Sequence, residues 1–317
     1  MADRLGLEDE RARALNTLGT ARAGSGDADG VGLIEESIDA ARNLHTTELI
    51  RGLNNLSHHR IHRGELSAAE PLIEEMNAVA RRFGYRNWIT WAEDKKLALS
   101  YFLGRWNDAQ ALADELIGEV DDGTPHYLEG EWCMYRSRMR LARGKHSEAI
   151  DDARRGLEAA REAGDAQILG PLLAWNARLT DSPAQAQPLY DEFVELWVES
   201  GSILGAATGV PDAAAVSVML GREEQFVATT KAIGGGPWLG AAVAYAGGEL
   251  VRAAEIFSEI GALPEEAQAR LEAATQLVRA GRRAEAEPEL QQSLAFWRSV
   301  GAAGYVREGE ALLAASA

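Results

Sequence analysis

The sequence predicts an all-α fold: an α–α superhelix of about eight helix-turn-helix units followed by a C-terminal capping helix. Three observations predict it. The composition is helical, with apolar residues at 46%, alanine and leucine dominant, and only 9 prolines in 317 residues. A glycine turn recurs at a nearly constant spacing. Small residues follow each turn where a second helix must cross the first closely.

The units can be taken in order. GSGDADGVGLIEESI, HRGELSAAEPLIEEM, FLGRWNDAQALADEL, ARGKHSEAIDDARRGL, LTDSPAQAQPLYDEF, MLGREEQFVATTKAI, AGGELVRAAEIFSEI and RAGRRAEAEPELQQSL share one pattern: the end of a helix, a turn, then a second apolar-periodic helix. Gly64, Gly104 and Gly144 are evenly spaced; Asp181 takes the next turn, and Gly221, Gly248 and Gly281 follow. A glycine there ends the first helix in a left-handed conformation that other residues resist. Ala68, Ala69, Ala109, Ala149, Ala253 and Ala286 leave room at the crossing. Leu72, Ile73, Leu112, Leu116, Ile150, Leu157, Ile256 and Phe257 fill the seam. Residues 303–315 supply a final helix as the cap. The spacing shortens at 221–250, a local irregularity with shorter helices, and IGGGPWLGAAVAYAGG (233–248) reads there as a loop entering the next unit. Second helices end in glycine links such as RRFGYR, EAGDAQ, ESGSIL and RSVGAA, and ADRLGLED at the N-terminus looks like the same ending without its helix. Residues 1–317 therefore read as a single repeat domain truncated at its N-terminus.

The ALNTLG of residues 14–19 and the G-x-x-x-x-A turns resemble tetratricopeptide repeats along nearly the whole chain, although most units are longer than the usual length of about 34 residues. LGLEDERARALNTLGTAR, YFLGRWNDAQALADELI and FWRSVGAAGYVREGEALLAAS further resemble the C-terminal repeat region of actinobacterial signalling proteins. Those proteins carry an ATPase module ahead of the repeats, with a nucleotide cyclase or a LuxR-type DNA-binding domain. The resemblance implies only the repeat region's role, which is to receive a protein or small-molecule signal. No G-x-x-x-x-G-K-S/T phosphate loop and no DNA-reading helix-turn-helix is present.

Charge and composition exclude several classes. The net charge of −17 opposes nucleic-acid binding by this segment. No apolar run of about 18 residues spans a membrane. A single cysteine, Cys133, and the lack of a hydrophobic leader fit a cytoplasmic protein. Cys133 lies between Trp132 and Met134 in a helix, as a structural cysteine would, and no nucleophile triad stands out. The carboxylate pairs Glu35–Glu36, Glu74–Glu75 and Asp151–Asp152 fall on second helices and read as solvated convex surface.

The stretch SHHRIH (57–62) holds three of the six histidines. His58 and His62 have the i, i+4 spacing of zinc ligands, but no third ligand is local and HExxH is absent. On a helix, Arg51, Asn54, His58 and His62 share one polar stripe opposite Leu49, Leu53 and Leu56, and Arg60 must reach outward from the coreward side. In stacked repeats, residues one period apart lie side by side. Arg51, Trp91 and Glu131 then form one row, Asn54, Asp94 and Met134 the next, and His58, Ala98 and Arg138 a third, with Arg13 and Asn16 preceding the first two. First helices of such arrays line the concave face. The candidate groove therefore comprises Arg13, Asn16, Arg51, Asn54, His58, His62, Trp91, Asp94, Glu131, Arg138, Trp175 and Arg178, with Trp238 and Tyr245 further on. Aromatic and arginine side chains in a polar rim are typical of binding hot spots, while tryptophans at helical spacing also serve as inter-repeat core.

The function expected is non-enzymatic recognition of a protein or peptide in this groove, without cofactor or metal, as the regulatory part of a larger signalling protein. The alternatives are a small-molecule inducer-sensing domain and, more remotely, a metal-dependent enzyme on a helical scaffold. A closed aromatic cavity favours the small molecule and a long open groove the peptide. Histidines titrating near neutrality would make binding depend on pH.

Overall fold

A computed structural model describes residues 7–27, 29–44, 47–180, 182–200 and 208–316. The turn expected at Asp181, most of the ESGSIL link and the first six residues lie outside them. Seventeen helices and no strand occur among the described residues. They are α1 Glu8–Gly24, α2 Asp29–Leu44, α3 Glu48–His62, α4 Leu66–Phe83, α5 Arg86–Phe102, α6 Trp106–Asp121, α7 Glu129–Ala142, α8 His146–Ala163, α9 Ala166–Arg178, α10 Pro183–Ser200, α11 Val210–Leu220, α12 Glu223–Ile233, α13 Pro237–Ala246, α14 Leu250–Ile260, α15 Leu263–Arg279, α16 Arg283–Ser299 and α17 Ala303–Ser316. These are eight helix pairs and a last single helix, an all-α, α–α superhelical architecture. The four helices from α11 to α14 are short, at 10 or 11 residues each. None of the described helices is long and apolar enough to cross a membrane.

The turns form as their sequence requires. Gly104 and Gly144 stand at φ +73° and +82°, where a side chain would be strained. The amide of the next residue reaches back to a carbonyl in the last turn of the preceding helix: Arg105 to Ser100 at 2.8 Å and Lys145 to Arg140 at 2.9 Å. These bonds satisfy carbonyls that the helix end leaves free.

By its internal contacts the chain forms two compact units, Met1–Lys96 and Leu97–Ala317, with the division inside α5. In unit 1, Ile34 and Ile38 of α2, Ile50 and Leu53 of α3 and Met76 of α4 make one buried core, against which Trp88 and Trp91 of α5 pack. In unit 2, Leu271, Ala274, Leu290 and Leu294 of α15 and α16 make a buried core against which the half-buried Tyr305 and Val306 of α17 pack.

Of the crossing alanines, Ala69, Ala109, Ala149, Ala253 and Ala286 are buried, whereas Ala68 is exposed. Two residues of α8 depart from expectation. Ile150 is 51% exposed rather than in the seam, and Asp152 is buried rather than solvated. The buried stripe of that helix runs Ala149, Asp152, Ala153, Gly156, Leu157 and Ala160. Asp152 is tolerated inside because Arg136 donates to both of its oxygens at 2.7 and 3.0 Å and Arg140 adds a third bond at 2.7 Å. Of the other expected surface carboxylates, Glu35 pairs with Arg60, Glu36 with Arg11 and Glu75 with Arg42. Arg60 reaches outward, as its helical position demands, to Glu35 and Glu65.

Candidate functional site: a buried charged pocket in unit 2

The inner face of unit 2 holds a pocket of about 410 Å³, the open solvent at its mouth included. It is lined by the odd-numbered, first helices of the pairs: Tyr101 of α5, Arg138 of α7, Trp175 and Arg178 of α9, Asp212 of α11 and Glu265 and Gln268 of α15. Tyr305 of α17 closes it, and Trp106 and Trp297 of second helices complete the wall.

The charges at this pocket form a network. Arg138 and Arg178, equivalent positions of successive helix pairs, point their guanidinium groups at one carboxylate. Arg138 Nη2 donates to Asp212 Oδ2, and Arg178 Nη1 donates to Asp212 Oδ1 at 2.9 Å. Asp212 is 1% exposed. Arg138 Nη2 also donates to the Thr208 carbonyl at 2.6 Å, and its guanidinium carbon lies 4.8 Å from the Trp175 ring centroid and 5.8 Å from that of Tyr101. Trp175 is held in turn by its indole N–H, which donates to Ser137 Oγ at 2.9 Å, while Ser137 donates to the Ala149 carbonyl. Arg178 Nη2 donates to Glu272 Oε1 at 3.2 Å; Tyr245 donates to Glu272 Oε2, and the Gln268 amide donates to Glu272 Oε1 at 2.9 Å.

Glu265 is the exception. Its Oε1 stands 3.7 Å from Arg138 Nη1, an ion pair without a hydrogen bond, and its Oε2 has no hydrogen-bond partner. Gln268 Oε1, one turn along α15, and Arg138 Nε are likewise buried without a partner. Burial pushes the Glu265 carboxyl up to about 8 against the opposing pull of Arg138. Glu272 is also raised by burial, and both guanidinium groups, although desolvated, are held above their ordinary range chiefly by Asp212.

The residues expected in the groove divide between the units. Arg138, Trp175 and Arg178 line the pocket, and Glu131 sits half-buried near the start of α7. Trp238 lies in the core against Phe102 and Phe257, with ring centroids 5.3 and 6.2 Å away. In unit 1, Arg13 and Arg51 meet on Glu48, a buried residue at the start of α3, at 3.1 and 3.5 Å, and Arg51 also reaches Thr17 at 3.2 Å. Asn16 is fully buried and accepts from Asn55 at 2.9 Å; Asn54 donates to Asn55 at 3.3 Å. Trp91 carries Lys95 Nζ 5.9 Å from its ring centroid, and Asp94 is buried on the same helix. The rings of His58 and His62 are 4.1 Å apart. Burial, with Lys95 and neighbouring histidines adding like charge, pushes His58 well below its ordinary value and His62 down to about 4. Both are therefore neutral at pH 7, and titration near neutrality does not apply to this pair. Cys133 is buried and its thiol is pushed up to about 12, an unreactive state at neutral pH. Among the described residues no three His, Cys, Asp or Glu side chains converge as a metal-ligand set.

Tyr101, Asp212, Glu265, Gln268 and Tyr305 are not indicated by the repeat spacing. Asp212 alone carries a local signal, a single acid in the otherwise apolar helix VPDAAAVSVML.

No protein-family model matches the sequence, and no curated protein matches it. Among solved structures, the chain is similar to a Rap protein crystallised in complex with Competence and Sporulation Factor. Sequence identity is 14% and the TM-score 0.50, over 80% of this chain and 78% of that one. At that identity the likeness is one of fold alone, an all-α arrangement of paired helices.

Proposed function

We propose that this chain is a non-enzymatic recognition module, the cytoplasmic sensory part of a larger regulator, and that unit 2 receives a small molecule in its pocket. The observation that supports this most directly is the combination of a cavity with unpartnered buried polar atoms on its wall. Buried ion pairs are costly to desolvate, and an apolar core of equal volume is commonly as stable or more so. Two arginines and two acidic side chains, Asp212 and Glu265, gathered around open space are therefore better explained by a ligand than by folding. The aromatic wall with a few convergent polar groups is that expected for a small-molecule site rather than for an extended peptide groove. Resemblance to the repeat regions of ATPase-linked regulators is consistent with a role in receiving a signal.

The test is a thermal-shift comparison of the whole chain with and without fractionated, dialysable metabolites. A fraction that raises the melting temperature of the wild type, and raises it less in Gln268→Ala, would support the pocket as the site. A rise that is identical in the variant would place the ligand elsewhere, and no rise with any fraction would defeat the proposal.

A second reading, a protein or peptide held on the inner face of unit 1, is favoured by the polar row that joins Arg13, Glu48 and Arg51. The fold it shares with Rap, whose structure holds Competence and Sporulation Factor, is compatible with it. Under this reading His58→Ala with His62→Ala weakens partner binding and leaves the melting temperature in place. A collapse in melting temperature would assign the pair to the core instead.

A further inference from the structure

Resting on the reading of the unit 2 pocket as a ligand site, we infer that the pocket takes a cation: a protonated primary amine whose N–H groups donate to Glu265 Oε2 and Gln268 Oε1 while its alkyl part lies against the aromatic wall. The charge tally leads there first. Arg138 and Arg178 face three acidic side chains, Asp212, Glu265 and Glu272, so one carboxyl group of the network has no cation of its own. Hydrogen-bond capacity leads there independently. Both Asp212 oxygens are occupied by arginine, and both Glu272 oxygens by Arg178, Gln268 and Tyr245. Gln268 spends an amide N–H on Glu272, which leaves its carbonyl oxygen free. The spare acceptors, Glu265 Oε2 and Gln268 Oε1, stand one helical turn apart on α15 and both residues line the cavity. Glu265 is only 9% exposed and lines the cavity, and its free oxygen is shut off from bulk water.

An anionic ligand fits poorly by comparison. It would face Asp212 with like charge, and would have to separate the arginines from carboxylates that already satisfy them. The walls suit a short alkyl ammonium: Trp106, Trp297 and Tyr305 form a packed aromatic run, with centroids 5.8 and 4.6 Å apart in succession.

The proton balance of this binding step is distinctive. At pH 7 most of Glu265 carries its proton, since burial outweighs Arg138 and Arg178 while Asp212 pushes in the same direction as burial. An ammonium group beside it favours the carboxylate. Binding therefore turns a carboxylic acid into a carboxylate paired with the ammonium, and the displaced proton passes to solvent.

The experiment is isothermal titration of the full chain at pH 7 with n-butylammonium, butyrate and n-butanol, each in two buffers of different protonation enthalpy. The expected result is that n-butylammonium binds about tenfold or more tighter than the other two, and that its binding releases protons. Glu265→Gln, whose fold is checked by its melting temperature, loses that preference and the proton release, while Gln268→Ala weakens the ammonium without abolishing the release. Preferential binding of butyrate or n-butanol overturns the cationic inference and leaves the pocket a recognition site of another chemistry. Binding of none of the three at millimolar concentration also overturns it, and the metabolite thermal shift then decides separately whether the pocket binds anything. Ammonium binding that is unchanged in Glu265→Gln overturns it as well.

Discussion

Glu265 makes folding depend on pH in a direction opposite to that of most carboxylates. A carboxyl group raised from 4.5 to about 8 holds its proton more tightly in the folded chain than in the unfolded one. Its contribution to stability is complete below about 4.5 and is lost as pH rises toward 8. Glu265→Gln keeps the shape and removes the titration. The variant should therefore gain on the wild type between pH 5 and pH 8, by on the order of a few kcal/mol at the upper end, measured as urea midpoints at the two pH values. An identical pH profile in the two proteins would mean that Glu265 ionises freely. His62 has the reverse sign. Its imidazole is lowered from 6.5 to about 4, so the folded chain binds that proton less well, and stability is lost as pH falls through this window. His62→Gln should flatten the acid side of the stability profile between pH 6.5 and 4, read from melting temperatures at half-unit steps. A slope equal to that of the wild type would clear His62 of any part in acid sensitivity.

At the scale of the helix, the pairing of α1 with α2 brings two glycines together beside the core shared by Ala12, Ile34 and Ile38. A Cβ on Gly19 would lie 2.7 Å from the Gly30 carbonyl oxygen, and one on Gly30 would lie 2.7 Å from the Gly19 carbonyl oxygen while striking the backbone of Ala23. Backbone cannot swing aside as a side chain can, so Gly30→Ala should cost about 1–3 kcal/mol by overpacking. Gly32, two residues on in the same helix, has open space around its Cβ position. Gly32→Ala should stabilise by roughly 0.5–1 kcal/mol through better helix propensity. The opposite signs, measured by chemical denaturation, separate the close crossing from propensity. Equal effects at both positions would deny that α1 and α2 meet where the glycines stand. The element scale is also where the sequence is most legible. A turn glycine, an alanine a few residues later and long apolar residues after it are local features, and they locate the helix pairs. Ile150 and Asp152 exchange their expected places because a small error in the rotation assigned to α8 swaps seam for surface, and a pair of arginines makes the buried acid tolerable.

At the scale of unit 2, what escapes sequence reading is closure. The repeat period aligns neighbours, and it places Arg138 and Arg178 on the inner face. It carries no information about residues that meet across that face. Arg138 reaches Asp212 over 74 residues and Arg178 reaches Glu272 over 94, because later pairs come round to face earlier ones. The last helix completes this closure. Gly304 of α17 lies against the end of α7, where a Cβ would fall 2.7 Å from the Ala142 carbonyl oxygen and 2.9 Å from the Gly144 amide nitrogen. Its neighbour Tyr305 packs on Trp297 and forms part of the pocket wall. The capping helix is thus also a wall of the site. Gly304→Val should push α17 away from α7, lower stability by about 1–3 kcal/mol, and change the near-ultraviolet circular dichroism of the tryptophans as Tyr305 leaves Trp297. Ligand affinity should fall further than stability does, because the pocket loses one side while the arginine network keeps its partners on α11 and α15. A variant with a lowered melting temperature but undiminished ligand affinity would show that α17 covers the core of unit 2 without forming its site.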